Sequence, residues 1–134
     1  MAMPTGFPVR TSTATITLRN GVETSVFISA YADRIMFIVT QVGTLGTMVQ
    51  AQKETVLGGG TTFSTATLLG TRDDPVPELC ARQLVEKLSQ AGCDLPILLC
   101  LGLQRDPSGE DRDPSLQREL MSGIIDACLA NPLW

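Results

Sequence analysis

Cys80, Cys93, Cys100 and Cys128 are the strongest nucleophiles and softest metal ligands in a 134-residue chain that contains no histidine. Without imidazole, neither a Ser-His nor a Cys-His dyad can form within the chain. No two of the cysteines form a C-x-x-C pair, so a zinc site would have to gather scattered thiols. All four lie in apolar or helical stretches, which reads as reduced thiols filling a core. The carboxylates offer two clusters. Asp106, Glu110, Asp111 and Asp113 are interleaved with Arg105 and Arg112. Their spacing does not match a calcium loop and reads as a solvated segment. Asp73 and Asp74, in "TRDDP", read as loop and helix-start residues rather than a general acid-base pair. The glycines of "GTLGT" and "LGGGTT" lack the Gly-Lys-Ser/Thr ending of a phosphate loop, and neither run leads from a strand into a helix N-terminus. Gly43 and Gly46 read as turn residues that need positive φ. Gln41, at a strand end just before them, says little alone. No catalytic residue, metal or cofactor follows from these patterns, and a non-enzymatic protein is expected. A small-ligand or regulatory module built on the glycine loops at 43–46 and 58–60 is the alternative.

The balance of residue types narrows the classes further. Hydrophobic residues make up 43% and charged residues 18%, with a net charge of -4 and a pI near 4.6. An acidic chain without a basic run lacks the electrostatic footprint of a nucleic-acid binder or of a protein drawn to anionic membranes. "MAMPTGFPV" has neither the basic nor the long apolar region of a secretory signal, and no run approaches the ~20 apolar residues of a membrane span. A cytosolic or nuclear setting is expected. The length fits one domain over 1–134, with residues 1–10 flexible.

The elements that must position these residues can be read from periodicity. "TSTATITLRN" alternates Thr with Ala14, Ile16 and Leu18. Asn20-Gly21 then signals a hairpin turn, and the return run places Val22, Val26, Ile28 and Ala30 on one face. "IMFIVTQ", "TMVQAQ" and "FSTATLLG" read as three more strands joined by short glycine-bearing links, which predicts an antiparallel meander of five strands. The period then becomes helical. Pro77 suits a first turn, Cys80, Ala81, Leu84, Val85 and Leu88 share a stripe, and Gly92 ends the helix. "LPILLCLGL" reads as a strand buried on both faces. A last helix, capped by Asp113 with Pro114 at its first position, aligns Leu116, Leu120, Met121, Ile124, Ile125 and Cys128.

This order predicts an α+β fold of five strands, then helix, strand and helix. Two helices with one apolar stripe each can cover one sheet face. Yet Met36 and Ile38 point opposite to Ile35, Phe37 and Val39, and "ILLCL" is equally two-sided. Leaving such a face wet costs on the order of several kcal/mol and invites aggregation. Cover by a second, similar subunit is the simplest solution, with Met36 and Ile38 as candidate dimer-face residues. A sheet that curls or bulges under its own loops is the other.

Val39, Thr40, Gln41, Gly43, Gly46 and Thr47 spell V-T-Q-x-G-x-x-G-T directly after an apolar strand. In this the chain resembles the proteasome assembly chaperone 3 family. "TATLLG" ahead of an acidic stretch, "LPILLCLGL" as a buried strand and a last helix ending near Trp134 follow in the family's order, from about residue 12 onward. The V-T-Q-G-GT core is the specific part. "LGGGTT", the acidic loop at 104–113 and "NPLW" depart from the family pattern, so no contact residue is carried onto them. The resemblance implies a non-enzymatic chaperone without cofactor. It would pair through its sheet with a proteasome assembly chaperone 4-like subunit, help arrange α-type subunits of the 20S core into a ring, and leave before the core matures. In isolation, self-pairing through the same face is expected.

Overall fold

The computed structural model describes residues 10–17, 23–41, 43, 46–70, 75–102 and 114–130. The expected Asn20-Gly21 turn, Asp73 and Asp74, the acidic cluster with its Asp113 cap, and Trp134 lie outside them, as do Leu18 and Val22. The strands are β1 (Arg10–Thr17), β2 (Glu23–Ala30), β3 (Ile35–Thr40), β4 (Thr47–Thr55), β5 (Thr61–Leu69) and β6 (Ile97–Gly102). The helices are α1 (Val76–Gln90) and α2 (Pro114–Ala130). Arg10, expected in a flexible tail, already pairs with Ala30 at the start of β1.

All six strands join one sheet in the order β1-β2-β3-β6-β4-β5. The α+β class and element order are as expected, but the five-strand meander is not what forms. β6 enters between β3 and β4, parallel to β3 and antiparallel to β4, so those two never pair. The physical reason lies in β6 itself. "ILLCLG" has almost no polar side chain to show water, and a strand apolar on both faces is most stable at the centre of a sheet, flanked on both edges. The turn expected at Gly43 to Gly46 does not bring β3 and β4 side by side. It must instead span two inter-strand spacings, roughly 10 Å, to step across the end of β6.

The core forms on one side. Val26 and Ile28 of β2, Ile35, Phe37 and Val39 of β3, Ile97 and Leu99 of β6, and Val49 and Ala51 of β4 are all at most 1% exposed. Their registers place them in one layer: Ile28 opposite Phe37, Phe37 beside Leu99, Leu99 opposite Val49. α1 packs over β4, β5 and β6, α2 over β1 and β2, and the two helices touch each other. Cys80, Ala81, Leu84, Val85 and Leu88 of α1 and Leu120, Ile124, Ile125 and Cys128 of α2 are buried, as their spacing predicts. Met121 is half-buried against the same core. The side chain of Leu116 lies outside the described residues.

α1 is bounded by local chemistry. Pro77 sits in its first turn with Glu78, and Lys87 lies in the last, each favourable to the helix dipole. Gly92, at φ +93, follows the C-cap residue Ala91. Its N–H donates to the Ser89 carbonyl (3.1 Å) and that of Cys93 to the Leu88 carbonyl (2.8 Å), a Schellman closure. Asp94, just beyond, accepts from Lys53 Nζ at 3.0 Å and Ser89 Oγ at 2.9 Å, tying the end of α1 to β4. The Lys53 bond first, and then that from Ser89, holds its carboxyl below the ordinary aspartate range.

Candidate partner-binding face

Alternation along each strand assigns every side chain to the helix side or to the opposite, open side. On the open side one row of paired residues crosses the sheet. It runs from Thr13 to Phe27, Ile38, Cys100 and Met48, and reaches Leu69 across a β-bulge that resets the alternation of β5. The next row runs through Ser29, Met36, Leu98, Gln50 and Ala66. Met36 and Ile38, expected on such a face, stand at its centre, and both are half-buried. Phe27 is 42% exposed and Leu69 63%. No described element packs on this side, since both helices lie on the other. Sequence reasoning named Met36 and Ile38 but missed Met48, Leu69, Leu98 and Cys100 as members of the same face. Parity along β4 and β6 was the available signal, but it needed the true neighbours to become a surface.

The V-T-Q-x-G-x-x-G-T residues gather at one end of this sheet, where the chain steps over β6. Val39 is fully buried in the helix-side core, and Thr47 is 8% exposed. Thr40 Oγ1 accepts from the Gly43 N–H at 2.8 Å, which starts the turn. The Gln41 N–H donates to the Gly102 carbonyl at 2.8 Å, extending the β3–β6 pairing by one rung. Gln41 Nε2 donates to Thr24 Oγ1 at 3.1 Å, and Thr24 has no solvent exposure. Gly43 (φ +77) and Gly46 (φ +63) adopt the positive φ expected of them. Gly46 lies so close to Leu101 and Gly102 that a β-carbon there would strike their backbone. The motif is thus a clasp that carries β3 across the end of β6 into β4.

The two glycine loops do not converge. Gly43 and Gly46 lie before β4 and Gly58–Gly60 beyond its far end, about 30 Å away for nine residues at ~3.3 Å each. The hollow beside Gly43 is a shallow, open depression of the same face, lined by Glu23, Ser25, Phe27, Ile38, Thr40 and Gln41.

The four cysteines are free and buried. Burial pushes the Cys80 thiol up to about 12. Burial, and then the neighbouring Cys80, raises Cys128, and burial raises Cys100. Burial thus works against a thiolate at Cys80, Cys100 and Cys128. Native protein at pH 8 is expected to react negligibly with a thiol-disulfide reagent over minutes, and all four thiols should titrate once guanidinium unfolds it. A fast-reacting thiol in the native state would contradict this packing. Among the described residues no three Cys, Asp or Glu side chains are grouped to hold a metal ion.

The family model of proteasome assembly chaperone 3 matches residues 37–127, which runs from the core of β3 through most of α2. The chain belongs to the proteasome assembly chaperone 3 family. The protein named proteasome assembly chaperone 3 in Bos taurus is 30% identical over 126 residues, covering 92% of this chain and 96% of its own. That of Mus musculus is 29% identical over 111 residues, covering 81% and 84%. That of Nematostella vectensis is 33% identical over 97 residues, covering 65% and 70%. A chain from the crystal structure of a chaperone complex for yeast 20S proteasome assembly superposes with a TM-score of 0.64, over 87% of this chain and 97% of that one. At 14% identity that likeness concerns the fold. The V-T-Q-x-G-x-x-G-T run, Val39 to Thr47, lies within the matched span and coincides with the clasp.

Proposed function

We propose that this chain is a non-enzymatic chaperone subunit that pairs, through the open side of its sheet, with a proteasome assembly chaperone 4-like subunit. The pair then helps α-type subunits assemble into the ring of the 20S core, in the cytosol or nucleus. Family membership supports the assembly role. The single observation that carries the pairing is the open face: an apolar row from Phe27 to Leu69 with no described element over it. Phe27 and Leu69 are its exposed members, Ile38 and Met48 are half-buried and Cys100 is fully buried between them, so the apolar side chains adjoin one another rather than standing singly. A chaperone that must later leave needs an interface that arriving subunits can displace, and a sheet face with a polar margin suits this.

The test is reconstitution. Purified chain mixed with a proteasome assembly chaperone 4-type subunit is expected to elute as a one-to-one complex by light scattering. That complex should retain free α-type subunits on a column. The chain alone, at tens of micromolar, is expected to self-pair. A stable monomer in both experiments would overturn the reading.

A further inference from the structure

The open face is uneven in charge, and this bears on which subunit it accepts. Along the six strands, the charged residues with open-side parity are Glu23, at the Gly43 end, and Glu54, at the far end of β4; both are exposed. The two cations of the strands have the opposite parity: Arg10 is in register with the buried Ala30, and Lys53 follows Ala51 on the helix side, where it binds Asp94. Arg34, in the turn between β2 and β3 at the margin, lies 3.5 Å from Asp33. Glu54 is held in place. Its Oε1 accepts from Gln52 Nε2 at 3.1 Å and from Ser64 Oγ at 2.9 Å, two neighbours on the same face. Those bonds, Gln52 first, keep the carboxyl below the ordinary glutamate range, so it stays ionised at neutral pH.

Two carboxylates on opposite flanks of the apolar row, one toward each end of the strands, constrain any cover. In a pair formed from two copies of this chain, both faces bring carboxylates, and neither brings a strand-borne Lys or Arg among the described residues. This holds whatever the direction of the twofold axis, because no described strand residue on the open side is a cation, and Arg34 at the margin already has Asp33 beside it. The net charge of -4 on each copy adds to the mismatch. Charge complementarity across an interface chiefly rejects wrong partners and sets register, and an unmatched charge at the margin counts against the pair.

We propose that Glu23 and Glu54 select a partner subunit whose matching apolar sheet face is flanked by Lys or Arg, and that they disfavour a second copy of this chain. The inference rests on the open face being the pairing surface.

The chain itself supplies the probe. A charge-swapped version, E23K/E54K, should fold as the parent does, since both positions are exposed. Equal amounts of parent and swapped chain are mixed at about 50 mM and about 500 mM salt, where the screening length falls from roughly 13 Å to roughly 4 Å. Native mass spectrometry then counts the pairs. At low salt the mixed pair is expected to rise above its statistical half of all dimers, outnumbering the self-pairs severalfold, and the excess should vanish at high salt. E23Q/E54Q should self-associate about tenfold more tightly than the parent at low salt. The same mixtures are repeated with Ile38→Asp in both chains. Statistical mixing at both salts, with dimers that Ile38→Asp still dissolves, overturns the charge rule and leaves the pairing face standing. Dimers indifferent to Ile38→Asp, or no dimers in any mixture, overturn both.

Discussion

Gly46→Ala is expected to leave little native protein at 25 °C, whereas Gly43→Ala, three residues earlier in the same turn, should fold with a modest loss. Both glycines have positive φ, +77 and +63. For either, placing an L side chain there costs about 1–2 kcal/mol. The difference is space. A β-carbon on Gly43 meets nothing within 4 Å. One on Gly46 would overlap the Leu101 carbonyl oxygen and lie 2.6 Å from the Gly102 Cα. Those are backbone atoms of the central strand, and they cannot rotate away. Relief requires the start of β4 to lift from β6, which breaks rungs beginning at the Thr47–Leu101 pair. The combined cost falls in the exceptional class above ~4 kcal/mol, a large share of the ~5–15 kcal/mol that holds a domain together. Urea unfolding followed by far-UV circular dichroism checks it. Midpoints for the two variants within experimental scatter of each other would contradict the clasp.

The second large effect is on association rather than folding. Ile38→Asp is expected to weaken pairing, with itself or with a chaperone partner, by 100-fold or more while leaving the far-UV spectrum unchanged. Ile38 stands between Phe27 and Cys100 in the middle of the open row, and its side chain faces away from the helix-side core. In the lone chain an aspartate there keeps contact with water. In a pair it would be desolvated without a partner cation, a penalty of several kcal/mol. Each 1.4 kcal/mol is a factor of ten in the dissociation constant. Gln83→Asp, at an exposed position of α1 on the other side of the sheet, serves as the control and should change affinity little. Light scattering across a dilution series gives the result. An Ile38→Asp chain that pairs as tightly as its parent would mean that the open face is not the interface.

Much of the architecture was legible in the residues because the signals concerned are local. Alternation in "TATIT" and "IMFIVT" fixed strand identity and facing, Pro77 and Gly92 bracketed α1, and the stripe from Cys80 to Leu88 pointed inward as its spacing required. Strand order was not legible. Met36 pairs with Leu98, 62 positions away, and no local signal names so distant a neighbour. A six-residue link between β3 and β4 looks the same whether it turns back at once or steps over an intervening strand. The candidate site divides along the same line. That Gly43 and Gly46 take positive φ could be read from sequence, but that Gly46 alone is irreplaceable depends on Leu101. Ile38 could be placed on a second face, whereas its neighbours Cys100, Met48 and Leu69 could not be named until the order of strands was known.

The late position of β6 in the chain sets a timetable for biosynthesis. When a ribosome has delivered β1 to β5, the nascent polypeptide holds two separate ribbons, β1-β2-β3 and β4-β5, whose inner edges have no rung to join them. Only when Ile97–Gly102 emerges and slots between them can the sheet close. Until then the edges of β3 and β4 offer unpaired amides and carbonyls to any passing strand. A stalled or truncated product ending before residue 97 therefore keeps the facing edges of β3 and β4 unpaired by β6.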